Sequence, residues 1–343
     1  MQIALSSLNE GAAFPEIRKT LEGSVVDFHD GTMGQDTEDQ PDSLTSPALM
    51  SLEYVAPPPE LEGFVTTFYH FRCDEREIRD VQPAAVGHVI VFLAGRGVVR
   101  FANGHTDPSH RVSLLTPCNA AAAIEVDGPF HCIGAVLSPL GWASLTGLHA
   151  GEWSDRMLAA RDVLGREIDA LGEGMIADYR KGADAAVICC RLGTFLHARL
   201  NPINRRHTAL MQVVAGWLGS GFDPPLEDLF AASAYSPRQT QRLVERYFGL
   251  PPRELRRKYR ALRVVAVLGQ PDVPGETVAA LTDHFYDQSH MIREIRHFVG
   301  RTPKQLTGSD DTILSAATGI RNYREVKPQF AAIPVGFPAN DSQ

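Results

Sequence analysis

The sequence predicts an α+β chain: a β-rich N-terminal half with trailing helices, then an all-α half of two helix-turn-helix units joined by a linker helix. Three observations predict it. Short β-branched runs bounded by turn residues follow one another from Val86 to Leu137. Helical periodicity replaces them from Pro139 onward. The stretch from Leu226 to Leu306 then contains one unit twice, at an offset of 51 residues. Tyr235 falls on Tyr286, Arg242 on Arg293, Arg246 on His297, Tyr247 on Phe298, Gly249 on Gly300 and Pro252 on Pro303. Each copy reads as a short helix, a tight break and a second helix, the plan whose second helix can enter a DNA major groove.

Taken in order, the chain opens with eleven acids and two bases through Glu60, which more than accounts for the net charge of -8. Residues 1–45 carry few large apolar side chains, and a mobile acidic arm is expected there. The β-rich part, 46–200, should begin its strands with Val86 to Leu93. Gly95-Arg96-Gly97 should turn the chain into Val98 to Phe101, and Asn103-Gly104 should turn it again. Further strands are expected at Val112 to Thr116, Ala122 to Val126 and Cys132 to Leu137, enough for a small sandwich or half-barrel. Helices should follow at Pro139 to Leu148, Asp155 to Leu171 and Ala183 to Leu200.

Composition excludes several classes. A length of 343 residues suffices for two domains, and 44% hydrophobic with 22% charged residues is ordinary for a soluble chain. No apolar run reaches the roughly 18 residues of a membrane span, and no secretory leader is evident at the start. Five cysteines without a CxxC spacing argue against a disulfide framework and a zinc site, so a reducing cytoplasm is expected. His88, His105, His110 and His131 form no HxH or HxxxE pattern, and no phosphate loop or GxSxG elbow occurs. No catalytic residue, metal or cofactor is therefore expected. Cys118 and Cys132 read as buried thiols, or as a redox pair if their strands are neighbours. Cys189 and Cys190 read as core.

The first unit carries the clearest local chemistry. Ser236, Pro237 and Gln239 stand as N-cap, first-turn proline and capping-box partner, and Gly249 ends the helix. Thr240, Leu243, Val244 and Tyr247 share an inward face, which leaves Arg238, Gln241, Arg242 and Glu245 outward. Arginine and glutamine can each make paired hydrogen bonds to base edges. The linker helix has an apolar stripe of Leu255, Tyr259, Leu262 and Ala266 amid basic residues. From Ser236 to Arg263 nine bases face two acids, the footprint of a phosphate-binding surface.

The stretch SPRQTQRLVERYFGLPPRELRRKYRALR, followed by HFYDQSHMIREIRHFVGRTPKQL, resembles the DNA-binding domain of AraC/XylS-type transcriptional regulators over residues 207–306. The resemblance implies two recognition helices, held by the linker helix about one DNA turn, roughly 34 Å, apart. It assigns base reading to Arg238, Gln241 and Arg242, and in the second unit to Gln288, Ser289, Ile292 and Arg293. Arg246, Arg256, Arg257, Lys258, Arg260, Arg296 and Lys304 are the phosphate-binding candidates. Two positions depart from the family: His284 replaces a glycine, predicting a strained positive φ, and Ile292 replaces a small polar residue. EYVAPPPELEGFVTTFYHFR and LSPLGWASLTGL resemble a cupin-like sensing class, which implies a small-molecule effector. The expected partners are operator DNA, an effector, RNA polymerase and a second copy of the chain, with residues 307–343 a tail. The competing readings are a β-barrel enzyme with an accessory DNA-binding domain, and a co-regulator that binds protein.

Overall fold

The structure is a computed structural model describing residues 50–268 and 275–303. The expected arm at 1–45, the tail at 307–343 and Lys304 lie outside the described residues.

Eight strands form one antiparallel sheet: β1 (Met50–Val55), β2 (Val65–Cys73), β3 (Glu77–Gln82), β4 (His88–Arg100), β5 (Thr106–Pro108), β6 (Val112–Leu115), β7 (Ala122–Leu137) and β8 (Met157–Ala159). Their order is β1-β2-β7-β4-β6-β8, with β3 also on β7 and β5 also on β4. Two long strands organise it. The C-terminal half of β7 pairs with β2 and the start of β4, and its N-terminal half with β3 and the end of β4.

Residues 95–97 do not turn the chain. The register of β4 against β7 shifts between Phe92 and Ala94 and again between Ala94 and Arg96, so the glycines serve a bulged, bent strand. Gly95 has φ +79°, and a Cβ there would meet the Pro129 carbonyl oxygen at 2.6 Å. Likewise Ala122 to Val126 and Cys132 to Leu137 are two halves of one strand.

The continuous apolar character of β4 follows from burial of both faces. Val89, Val91 and Leu93 pack beneath the helices, whereas Ile90 and Phe92 join the opposite cluster with Phe71, Val126 and Cys132. The covering helices are α1 (Pro139–Thr146), α2 (Arg161–Leu164), α3 (Glu167–Arg180) and α4 (Ala185–His197). Trp142, Ile168, Met175, Ile188 and Leu192 supply their buried contacts. The helix expected over Asp155 to Leu171 is divided, because β8 pairs with β6 before α2 begins. Cys189 is core as expected, but Cys190 faces solvent.

The C-terminal half is α5 (Arg205–Gly219), α6 (Leu226–Ala232), α7 (Pro237–Phe248), α8 (Pro252–Leu268), α9 (Gly275–Thr282) and α10 (Gln288–Val299). The pairs α6–α7 and α9–α10 are the two repeated units, and α8 joins them. Val214, Trp217, Leu229, Val244, Leu255 and Ile295 meet in one core. From Lys258 to Leu268 every residue of α8 is buried, so its far half has no solvated face.

What it is buried against is partly the sheet region. Ala85 and Cys118 exchange backbone hydrogen bonds of 3.2 and 3.1 Å, bridging the segments that follow β3 and β6. The C-terminal half docks around this bridge. The Ala84 N–H donates to the Phe298 carbonyl at 2.7 Å and the Ala121 N–H to the His297 carbonyl at 2.9 Å. The Asn119 side-chain amide donates to the Gly249 carbonyl at 3.0 Å. Arg301 pairs with Asp80 at 2.6 Å, both side chains buried. Thus the ends of α7 and α10 are fastened to the same rim of the sheet.

Candidate nucleic-acid interface and effector cavity

The helix α7 begins as its sequence dictates. The Ser236 hydroxyl accepts from the Gln239 N–H, the Gln239 side chain accepts from the Ser236 N–H at 3.3 Å, and Gly249 closes the helix at φ +88°. Its inner face is fixed by Val244, fully buried, and by Thr240, whose hydroxyl lies 2.7 Å from that of Ser233. The Tyr247 hydroxyl lies 2.6 Å from His207 Nδ1. The opposite face presents Arg238, Gln241 and Arg242 to solvent. Neither arginine has an ion-pair partner among the described residues, so both charges are available to a ligand. Ser236→Ala is expected to cost about 1 kcal/mol of stability, read as a lower urea midpoint at unchanged slope.

The α10 helix repeats the plan with a different cap. The Asp287 carboxylate accepts from the His290 N–H at 2.6 Å, and Gly300 closes the helix at φ +81°. Gln288, Ser289 and Arg293 are exposed and Ile292 is half-buried. The strain expected at His284 is absent. Among the described residues Asp155 is the one non-glycine at positive φ. His284 instead stacks on Phe222 with ring centres 4.7 Å apart, and its carbonyl accepts from Arg260.

Part of the basic footprint counted from sequence is internal, a correction to several phosphate candidates: Lys258, Arg260 and Arg263 are buried, and Arg256 and Arg257 are half-buried. Glu294 of α10 is fully buried and takes Arg260 at 2.8–2.9 Å and Arg257 at 2.8 Å. Arg260 also reaches Asp223 at 2.9 Å, and Arg256 lies at ion-pair distance, 3.1 Å, from the same carboxylate. Lys258 is buried and donates to the carbonyls of Ala85 at 2.7 Å and Cys118 at 2.8 Å. Asp223 and Glu294 lie outside the window in which the charges were counted, and folding brings them onto α8. Arg246 and Arg296 remain exposed.

Beneath α8 lies a cavity of about 270 Å³ lined by one face of the sheet. Its wall is mainly apolar, with Ile90, Phe92 and Phe130 from the strands and Tyr259 and Leu262 from α8. Its polar lining includes Tyr69, His88 and Lys258, with Thr66, Gln82 and Ser109. The Tyr69 hydroxyl lies 3.4 Å from His88 Nδ1. Burial, assisted by the charge of Lys258, pulls the His88 imidazole down to about 4 and keeps it neutral. Burial also pulls the Lys258 ammonium down to about 8. Cys118 and Cys132 are free, buried thiols, each pushed up to about 12 by desolvation. The sequence reading named His88, Cys132 and Lys258 but joined none of them into a cavity. Tyr69, His88 and Lys258 are scattered over β2, β4 and α8, and Lys258 stood within a run of surface-like charges.

Comparison with known proteins bears on the C-terminal half. A family model described as a helix-turn-helix domain matches residues 229–308. No curated protein matches the chain. Among solved structures, the crystal structure of ToxT from Vibrio cholerae O395 aligns with 10% identity and a TM-score of 0.41, covering 76% of this chain and 100% of that one. The AraC-like transcriptional activator CuxR aligns with 10% identity and a TM-score of 0.29, over 60% of this chain and 78% of that one. The twice-repeated capped unit, its exposed arginine and glutamine side chains and the domain match make the C-terminal half a helix-turn-helix domain built to bind DNA.

Proposed function

We propose that the chain is a cytoplasmic, effector-responsive regulator that reads an operator with both helix-turn-helix units. Arg238, Gln241 and Arg242 of α7 read base edges in one major groove. Gln288, Ser289, Ile292 and Arg293 of α10 read the next. Arg246 and Arg296 contact phosphates, which sets orientation without sequence information. Residues 46–200 sense the effector and pair two copies of the chain, residues 207–306 bind DNA, and RNA polymerase is the downstream partner. The observation that carries this reading is the pair of capped helices whose outward arginines, Arg238, Arg242 and Arg293, have no ion-pair partner among the described residues.

Selection of duplexes from a random pool by the full chain, followed by fluorescence anisotropy, tests it. If about four phosphates are neutralised, affinity should fall about a hundredfold between 50 and 200 mM salt. A folded chain that enriches no sequence and shows no such dependence would refute the reading.

A further inference from the structure

The cavity beneath α8 contains a lysine in an unusual setting. Lys258 is 2% exposed, and both of its hydrogen bonds go to neutral backbone carbonyls. No carboxylate lies within ion-pair distance of it among the described residues. Those two carbonyls do not depend on it, since Ala85 and Cys118 already satisfy each other through their N–H groups. The Asp155 carboxylate acts on it only from beyond ion-pair distance, and burial outweighs that attraction. A desolvated ammonium gives up its proton more readily than a solvated one, and a neutral lysine amine in an apolar pocket is a nucleophile.

We propose that Lys258 captures an apolar aldehyde in this cavity as a reversible imine, which makes the cavity a carbonyl-sensing site. The geometry suits that step. The neutral amine keeps both N–H groups on the Ala85 and Cys118 carbonyls, leaving its lone pair in the remaining tetrahedral direction. Ile90, Phe92 and Phe130 would accept the apolar body of the ligand. The nitrogen adds to the carbonyl carbon, forming a C–N bond while the C=O π pair moves to oxygen. The Tyr69 hydroxyl, beside His88, delivers a proton to that oxygen and is reprotonated by the proton that leaves nitrogen. Loss of water from the carbinolamine gives the C=N bond, with one aldehyde and one amine converted to imine and water and no redox change. Burial pulls Lys258 to about 8 against an ordinary 10.5, so at pH 7.5 it carries about two orders of magnitude more free amine than an exposed lysine.

The step has a built-in readout. An imine nitrogen keeps at most one N–H, so at least one bond from α8 to the Ala85–Cys118 bridge is lost. That bridge adjoins Ala84, Asn119 and Ala121, which hold the ends of α7 and α10. This inference rests on the effector role proposed for the sheet region.

The full chain incubated with octanal and cyanoborohydride, then mapped by peptide mass spectrometry, tests it. The chain has five lysines, Lys19, Lys181, Lys258, Lys304 and Lys327, so adducts are readily assigned. Lys258 is expected to be alkylated at least tenfold faster than the others, with octan-1-ol slowing it and the polar aldehyde glyoxylate showing no preference. Lys258→Met should keep its melting temperature and lose the fast adduct. Equal labelling of all lysines, or an unchanged adduct yield in Lys258→Met, overturns the proposal. If that variant does not fold, failure of octan-1-ol to slow labelling of the native chain overturns it instead. Anisotropy with selected DNA is measured on the same preparation. Intact DNA binding without a Lys258 adduct removes this inference alone, whereas an adduct without DNA binding removes the regulator reading.

Discussion

Glu294→Ala should lower the stability of the chain by about 3–5 kcal/mol, the cost of removing one partner from a buried ion network. Glu294 is 1% exposed and both of its oxygens are engaged, one by Arg260 and the other by Arg260 and Arg257. Truncation leaves Arg260, itself 6% exposed, with Asp223 and the His284 carbonyl as its remaining partners. The guanidinium cannot shed its proton as a lysine would, so its desolvation is then only partly compensated, through Asp223. Arg260 also lies over the Phe285 ring at 4.3 Å, so the damage extends to the turn before α10. Urea unfolding should show the loss as a lower midpoint, with Glu294→Gln recovering part of it through neutral hydrogen bonds. A loss under about 1 kcal/mol would mean that the network is solvated and marginal.

Arg242→Ala should weaken operator binding by about 1–3 kcal/mol and relax preference at one base position. Its side chain is exposed on the outward face of a helix held at both ends, by the capping box at Ser236 and by the contacts of Gly249 with the sheet rim. Arg293→Ala should cost less and act more evenly across sequences. Arg293 lies next to Ile292, which can touch a thymine methyl but offers no hydrogen bond. Binding of both variants to one selected operator at fixed salt decides the order. Equal losses, or a larger one at Arg293, would reverse the hierarchy. His284 sits outside the positive-φ region and imposes no strain on the second unit, so the order rests on the exposed side chains alone.

The repeat was legible because its signals are local. Caps, a first-turn proline and a terminating glycine act within four residues, and both helices begin and end where those residues place them. The sheet was most legible where β-branched runs are continuous, as in β4 and the end of β7. β1 to β3 carry charged or polar residues between their buried ones, and β3 even buries Asp80. Glycines inside β4 imitated a turn, since bulge and turn exploit the same freedom of φ. Charge was misread for a different reason. A count along the chain cannot show that Asp223 and Glu294 fold back onto α8, or that Lys258 points at carbonyls some 140 and 173 residues away in sequence.

The fastening of both readers to one short segment of the sheet rim turns that segment into a ruler. Asn119 grips the end of α7 and Ala121, two residues on, grips the end of α10. One residue of extended backbone spans about 3.3–3.6 Å, close to the roughly 3.4 Å between successive bases along a DNA strand. Lengthening the rim by a single residue between these two grips would therefore displace one reader against the other by about one base step. On the proposed DNA-reading role, operator spacing would then answer to a short segment of the sheet region as well as to the side chains of α7 and α10, and half-site spacing selected from a random pool by the lengthened chain would read it out.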